Sequence, residues 1–163
     1  MNNKTTRMAN IIGEYECKAD AKGRIMLPSG LKKQLIGVLD KGFVLKRAIF
    51  NPCLELYPLK EYKNVLTGIK KNINPFNRDH NNFIRRFTAG VKIVDVDGAG
   101  RILIAKDLID FAGIAKQVVI TTPIDIMEIW DKGLYEKTLK DGEESLPDLA
   151  EKVMGNYNID ELS

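Results

Sequence analysis

The chain has 163 residues, of which 44% are hydrophobic and 29% charged, with a formal net charge of +3. That balance suits one folded domain, or two small units sharing a core, and excludes wholesale disorder. No apolar run approaches the roughly 18 residues of a membrane helix, and two cysteines, Cys17 and Cys53, are too few for a disulfide framework.

From the N-terminus, Met1 to Asn10 is polar and lacks the apolar centre of a signal peptide. Glu14 to Ala19 alternates polar and apolar residues, the period of a half-buried strand, and Arg24 to Leu27 predicts a second, shorter one. Ser29 then reads as a helix N-cap, Leu31, Leu35 and Ile36 as the apolar face of a short helix, and Gly37 as its left-handed stop. Phe43 to Leu45 and Cys53 to Tyr57 predict strands around an Asn51-Pro52 turn, followed by a helix from Leu59 to Ile69. Asn74-Pro75 breaks the chain, and Phe76 to Phe87 predicts a helix with Phe76, His80, Phe83 and Phe87 on one face.

Beyond that helix the pattern repeats. Residues 13–27 align without a gap on residues 90–104, placing Gly13, Asp20, Gly23, Arg24 and Ile25 over Gly90, Asp97, Gly100, Arg101 and Ile102. A helix from Lys106 to Ala112 closed by Gly113, strands over Gln117–Ile120 and Ile126–Trp130, and a helix from Lys132 to Lys140 complete the second copy. Leu54-Glu55-Leu56-Tyr57 matches Met127-Glu128-Ile129-Trp130, so Tyr57 and Trp130 read as equivalent core aromatics. Each copy is too small to bury a core alone, so the two are expected to share one. The divisions are an N-terminal extension over 1–11, a first repeat over 12–70 and a connecting helical segment over 71–89. A second repeat over 90–140 and an acidic tail over 141–163, containing a short amphipathic helix, complete the chain.

The repeated D-x-x-G-R loops carry the chemistry. Aspartate initiates a turn by accepting from amides ahead of it, glycine permits positive φ, and arginine brings a planar fork of donors. That fork can bond the aspartate inside the loop, a phosphate outside it, or a guanine edge. Asp95-Val96-Asp97 opens like a calcium loop, but Ala99 stands at a ligand position and Lys106 where the bidentate glutamate belongs. Gly98-Ala99-Gly100 lacks the rest of a dinucleotide fingerprint, and no Gly-Lys-Ser/Thr phosphate loop occurs. His80 is the one histidine and reads as a core-edge or helix-face residue, while Cys17 and Cys53 read as buried hydrophobes. A zinc site from these three would need a fourth ligand. No cofactor, metal or enzymatic activity is expected. Charge is divided unevenly: residues 1–90 carry +10 and residues 91–163 carry −7, which fits a face presented to a polyanion or copies stacked on one another.

Two strand–loop–strand copies joined by an arginine-containing helix resemble the MraZ family of bacterial regulators, which carry two AbrB-like units. The resemblance rests on Gly13-Glu-Tyr, Asp20 to Pro28, Asn51 to Leu59, Asn74-Pro75, Arg85-Arg86, Asp97 to Ile104 and Glu128-Ile-Trp, spanning roughly Ile12 to Leu139. It implies a β-rich α+β fold of two tandem AbrB-like swapped-hairpin units sharing a core, with short helices and a connecting helix. It also implies a cytoplasmic, nucleoid-associated homo-oligomeric ring. The implied partner is double-stranded DNA with direct repeats, in the promoter of the division and cell-wall gene cluster. The DNA-reading residues carried over are Asp20, Lys22, Gly23 and Arg24 in the first loop and Asp97, Gly100 and Arg101 in the second, with Lys18, Arg85 and Arg86 as lesser candidates. Ala99 stands where Lys22 stands, so the first loop is expected to contribute more. One loop neutralises only about 2–3 phosphates, and a ring engaging boxes ~10 bp apart would multiply that grip. An AbrB-like scaffold or antitoxin-type partner binder is the alternative reading, and Lys32-Lys33 are expected to face solvent.

Overall fold

The computed structural model describes residues 11–155. In the first repeat the elements are β1 (Glu14–Lys18), β2 (Arg24–Met26), α1 (Ser29–Gln34), β3 (Phe43–Arg47), β4 (Leu54–Pro58) and α2 (Leu59–Lys70). The connecting helix is α3 (Arg78–Thr88). The second repeat supplies β5 (Lys92–Val94), β6 (Arg101–Leu103), α4 (Lys106–Ala112), β7 (Gln117–Thr121), β8 (Met127–Asp131) and α5 (Lys132–Lys140), and α6 (Leu146–Met154) lies in the tail. Most of the expected N-terminal extension, and the tail beyond Gly155, lie outside the described residues.

The two repeats exchange their first strands. A six-stranded antiparallel sheet runs β1-β7-β8-β4-β3-β5, and a two-stranded ribbon pairs β2 with β6. Exchanging the repeats reverses the six-strand order without altering it, so the fold has an internal pseudo-twofold. β1 of the first copy pairs with β7 of the second, Tyr15 opposite Ile120, while β5 of the second pairs with β3 of the first, Val44 opposite Ile93. One hydrophobic cluster therefore draws on both copies, from Ile25, Leu31 and Leu45 in the first to Ile102, Leu108 and Ile120 in the second. This is the shared core that two undersized units need. Central strands β4 and β8 meet with Glu55 opposite Glu128. Glu55 accepts from the Tyr57 hydroxyl at 3.1 Å and Glu128 from the Trp130 indole at 3.0 Å, so the two equivalent aromatics are buried with their polar ends satisfied.

Three local expectations are corrected. Ser29 is the first residue of α1 and caps nothing; Pro28 holds the cap position with no side-chain hydrogen bond, its fixed φ pre-set at −57°. The helix stops at Gln34, so Ile36 leaves the apolar face and is exposed. α3 starts at Arg78 because the Asn77 side chain accepts from the amides of Asp79 and His80, which leaves Phe76 exposed ahead of the helix. His80 then accepts from the Asn74 amide through Nδ1 at 2.9 Å, tying the turn to the helix. By contrast, α4 ends as its sequence indicates, on Gly113 in the left-handed region at φ +61°.

Candidate nucleic-acid interface

Both D-x-x-G-R loops are closed by the same hydrogen bonds. In the first, Asp20 Oδ1 accepts from the amides of Lys22 and Arg24, both at 2.9 Å, and Oδ2 accepts from Arg24 Nε at 2.7 Å. In the second, Asp97 Oδ1 accepts from Ala99 and Arg101, both at 2.9 Å, and Oδ2 from Arg101 Nε at 3.0 Å. Gly23 and Gly100 both adopt φ +84°. The arginine amide donating to each carboxylate, joined by its guanidinium and the next loop amide, holds Asp20 and Asp97 below the ordinary aspartate value. Each aspartate thus stays ionised and fixes its arginine through Nε alone. The terminal Nη groups have no other hydrogen-bond partner among the described residues, and a fork presented in this way suits a phosphate or a guanine edge.

The ribbon joins the two loops into one surface. Arg24 lies opposite Leu103 and Met26 opposite Arg101, while Ile25 lies opposite Ile102. Side chains alternate along a strand, so both isoleucines point into the core and all four flanking residues share the other face. On that face Met26 is 46% and Leu103 54% exposed. The two arginines are diagonal neighbours, on the order of 7–8 Å apart along such a ladder. The strands continue into the loops: the Leu27 amide donates to the Gly100 carbonyl at 2.9 Å and the Ile104 amide to the Gly23 carbonyl at 2.8 Å. Each loop glycine is thereby hydrogen-bonded to the other repeat.

The remaining candidates separate. Lys22 is exposed at the tip of the first loop, and Lys18 is exposed at the end of β1, opposite Gln117. Arg85 and Arg86 are exposed on α3; Arg86 lines a groove with Arg47, Phe83 and Phe111, a set that includes no loop residue. A cleft beside the first loop is lined by Asp20, Lys22 and, from α4, Lys106.

Lys32 was expected to face solvent and is only partly exposed. It is half-buried, and its Nζ lies 2.8 Å from where a Cβ on Gly100 would stand, so it places an ammonium against the loop that lacks its own lysine. Lys33 beside it is exposed. The pseudo-twofold explains the placement: Lys32 falls on Ile109, the residue packed against Gly23 from the other copy.

The cysteines are separate from this surface. Cys53 is buried as expected, whereas Cys17 is only half-buried in β1. Burial still pushes the Cys17 thiol up to about 11, and burial with two nearby glutamates raises that of Cys53 further. No group of three or more His, Cys, Asp and Glu is placed to hold a metal among the described residues, so Cys17, Cys53 and His80 form no such group. No described helix is long and apolar enough to cross a membrane.

A tandem, internally swapped pair of AbrB-like units presenting two aspartate-held arginines on one ribbon is the class that this fold and surface define. Residues 11–85 and 87–156 each match the family described as "MraZ protein, putative antitoxin-like". A protein named Transcriptional regulator MraZ from Christiangramia forsetii is 57% identical over 156 residues, covering 96% of this chain and 100% of that one. Proteins of the same name from Flavobacterium psychrophilum and Acetivibrio thermocellus are 54% identical over 154 residues and 37% over 142. These alignments cover 94% and 86% of this chain, and 98% and 94% of those proteins. The chain belongs to the MraZ family.

Proposed function

We propose that this chain is a sequence-specific DNA-binding transcriptional regulator, neither enzyme nor cofactor carrier, that binds direct repeats as a ring-shaped homo-oligomer. The target in this reading is the promoter of the division and cell-wall gene cluster, and the protein is cytoplasmic and nucleoid-associated. The domain division is the one read from the sequence: repeats over 12–70 and 90–140 around a connecting segment over 71–89.

The observation that supports this best is the shared ribbon face with Arg24 and Arg101, each held by its own aspartate. A two-stranded antiparallel ribbon fits the major groove, where a pre-oriented guanidinium distinguishes guanine from the other bases. Lys22, Lys32 and Lys18 add phosphate contacts, and Asp20, Gly23, Asp97 and Gly100 shape the loops. The names of the relatives point the same way.

The test is a gel shift on DNA upstream of the protein's own gene. Wild type is expected to shift it, and to shift DNA with several boxes far better than DNA with one. Arg24→Ala is expected to lose the shift while keeping its assembly state. An unchanged shift in that variant removes the loop from the mechanism. No shift by wild type at modest ionic strength would favour the antitoxin-type partner reading instead.

A further inference from the structure

α6 is a helix without a seat. None of its residues is buried, and Leu146 is 78% and Val153 72% exposed. Leu146, Leu149 and Val153 fall at the i, i+3, i+7 positions by which a helix anchors in a groove, with Ala150 and Met154 widening the stripe. Glu151 borders that stripe, and Glu143 and Glu144 precede the helix, where Glu144 pairs with Lys152 at 2.8 Å.

Elsewhere the fold offers a groove of opposite character. It measures about 680 Å³ and lies between the end of β3, α3 and α4. Phe83, Phe111 and Ile49 give it exposed apolar walls. Its charge is mainly basic, from Arg47, Arg86 and the buried Lys46, with Asp79 the acidic exception. Lys46 is already engaged, donating to the Arg47 carbonyl at 2.6 Å and lying 4.2 Å from the Phe87 ring centroid. Arg47 lays its guanidinium over the Phe111 ring, 5.2 Å from its centroid, while its Nε is out of solvent and has no acceptor.

We propose that α6 of a second copy docks in this groove, its apolar stripe on Phe83, Ile49 and Phe111, and Glu151 against Arg86. Helix and groove are different surfaces of the same chain, so the contact is heterologous and passes from copy to copy, closing into a ring where the rotation allows. The acidic end of one chain thereby meets the basic face of the next, which accounts for the uneven charge of the two halves. The contact rests on the oligomeric part of the function proposed above and supplies its geometry.

Native mass spectrometry of the full chain across a concentration series tests it. Arg86→Glu and Glu151→Arg are each expected to raise the concentration at which the oligomer falls apart by about tenfold or more, and the double variant to restore it. Leu149→Asp is expected to weaken assembly without a charge partner. Cross-links between α6 and α3 in a mixture of light and heavy chains are expected to join the two labels. An oligomer indifferent to all these variants, or cross-links confined to single chains, overturns the contact and leaves the ring standing. A monomeric wild type overturns both. Loss of DNA binding in Arg86→Glu at unchanged mass assigns that arginine to DNA and likewise overturns the contact.

Discussion

Ile25 and Ile102 stand directly opposite one another across the β2–β6 ribbon, and both are buried. They are the same residue of the two repeats, so the pseudo-twofold passes between them and the arginine loops hang on either side. Ile25→Ala and Ile102→Ala should each cost roughly 2–5 kcal/mol, the range for emptying a packed site. Their double variant should cost less than the two together, because they line one cavity. Urea unfolding of the three variants measures this. Additive losses would mean that the repeats do not share their core here.

The glycines of the loops are equal in conformation and unequal in surroundings. At φ +84° an alanine costs about 1–2 kcal/mol at either position. A Cβ on Gly23 would also meet the Ile104 carbonyl oxygen at 2.7 Å, a backbone atom held by the ribbon. A Cβ on Gly100 meets the far end of Lys32, which can swing away. Gly23→Ala should therefore lower the urea midpoint clearly more than Gly100→Ala. Equal losses would contradict the close approach of the first loop to Ile104.

Acid should loosen both loops by one route. The folded Asp20 and Asp97 carboxyls lie below the unfolded value of 3.8, because amides and a guanidinium bond the ionised form. Their contribution is complete above that value and disappears as the pH falls through the lowered folded value. Carboxylate NMR titration should give midpoints below 3.8 for both residues, with the Arg24 and Arg101 Hε resonances shifting in step. A midpoint at or above the ordinary value in either loop would contradict its aspartate–arginine bond.

Much of this is legible in the letters. The duplication is visible because the two loops need the same aspartate, glycine and arginine for the same backbone turn, so the letters persist where packing residues drift. β1 follows from alternation and the other strands from short apolar runs beside turn signals, and the exchange of hairpins is implied by the family resemblance. What periodicity cannot show is which strand a strand meets. The union of Arg24 and Arg101 on one ribbon depends on pairing over 77 residues, and the position of Lys32 against Gly100 depends on that pairing in turn. At helix starts the deciding signal is local: Asn77 outcompetes Phe76 because its side chain can accept two amides.

Lys32 gives a prediction that sequence alone would not have made. Lys32→Met should weaken DNA binding uniformly across sequences and flatten the dependence of log affinity on log salt by about 0.9 for each phosphate released. Lys33→Met should do neither. Identical behaviour of the two variants would place Lys32 outside the interface.

Fluorescence anisotropy of upstream DNA bound by wild type, Arg24→Ala and Arg101→Ala bears most directly on the shared arginine face. With fold and assembly unchanged, both variants should lose roughly 1–3 kcal/mol of discrimination between the native boxes and a scrambled duplex, the larger loss falling on Arg24. If both variants discriminate as wild type does, the ribbon is not the surface that reads DNA.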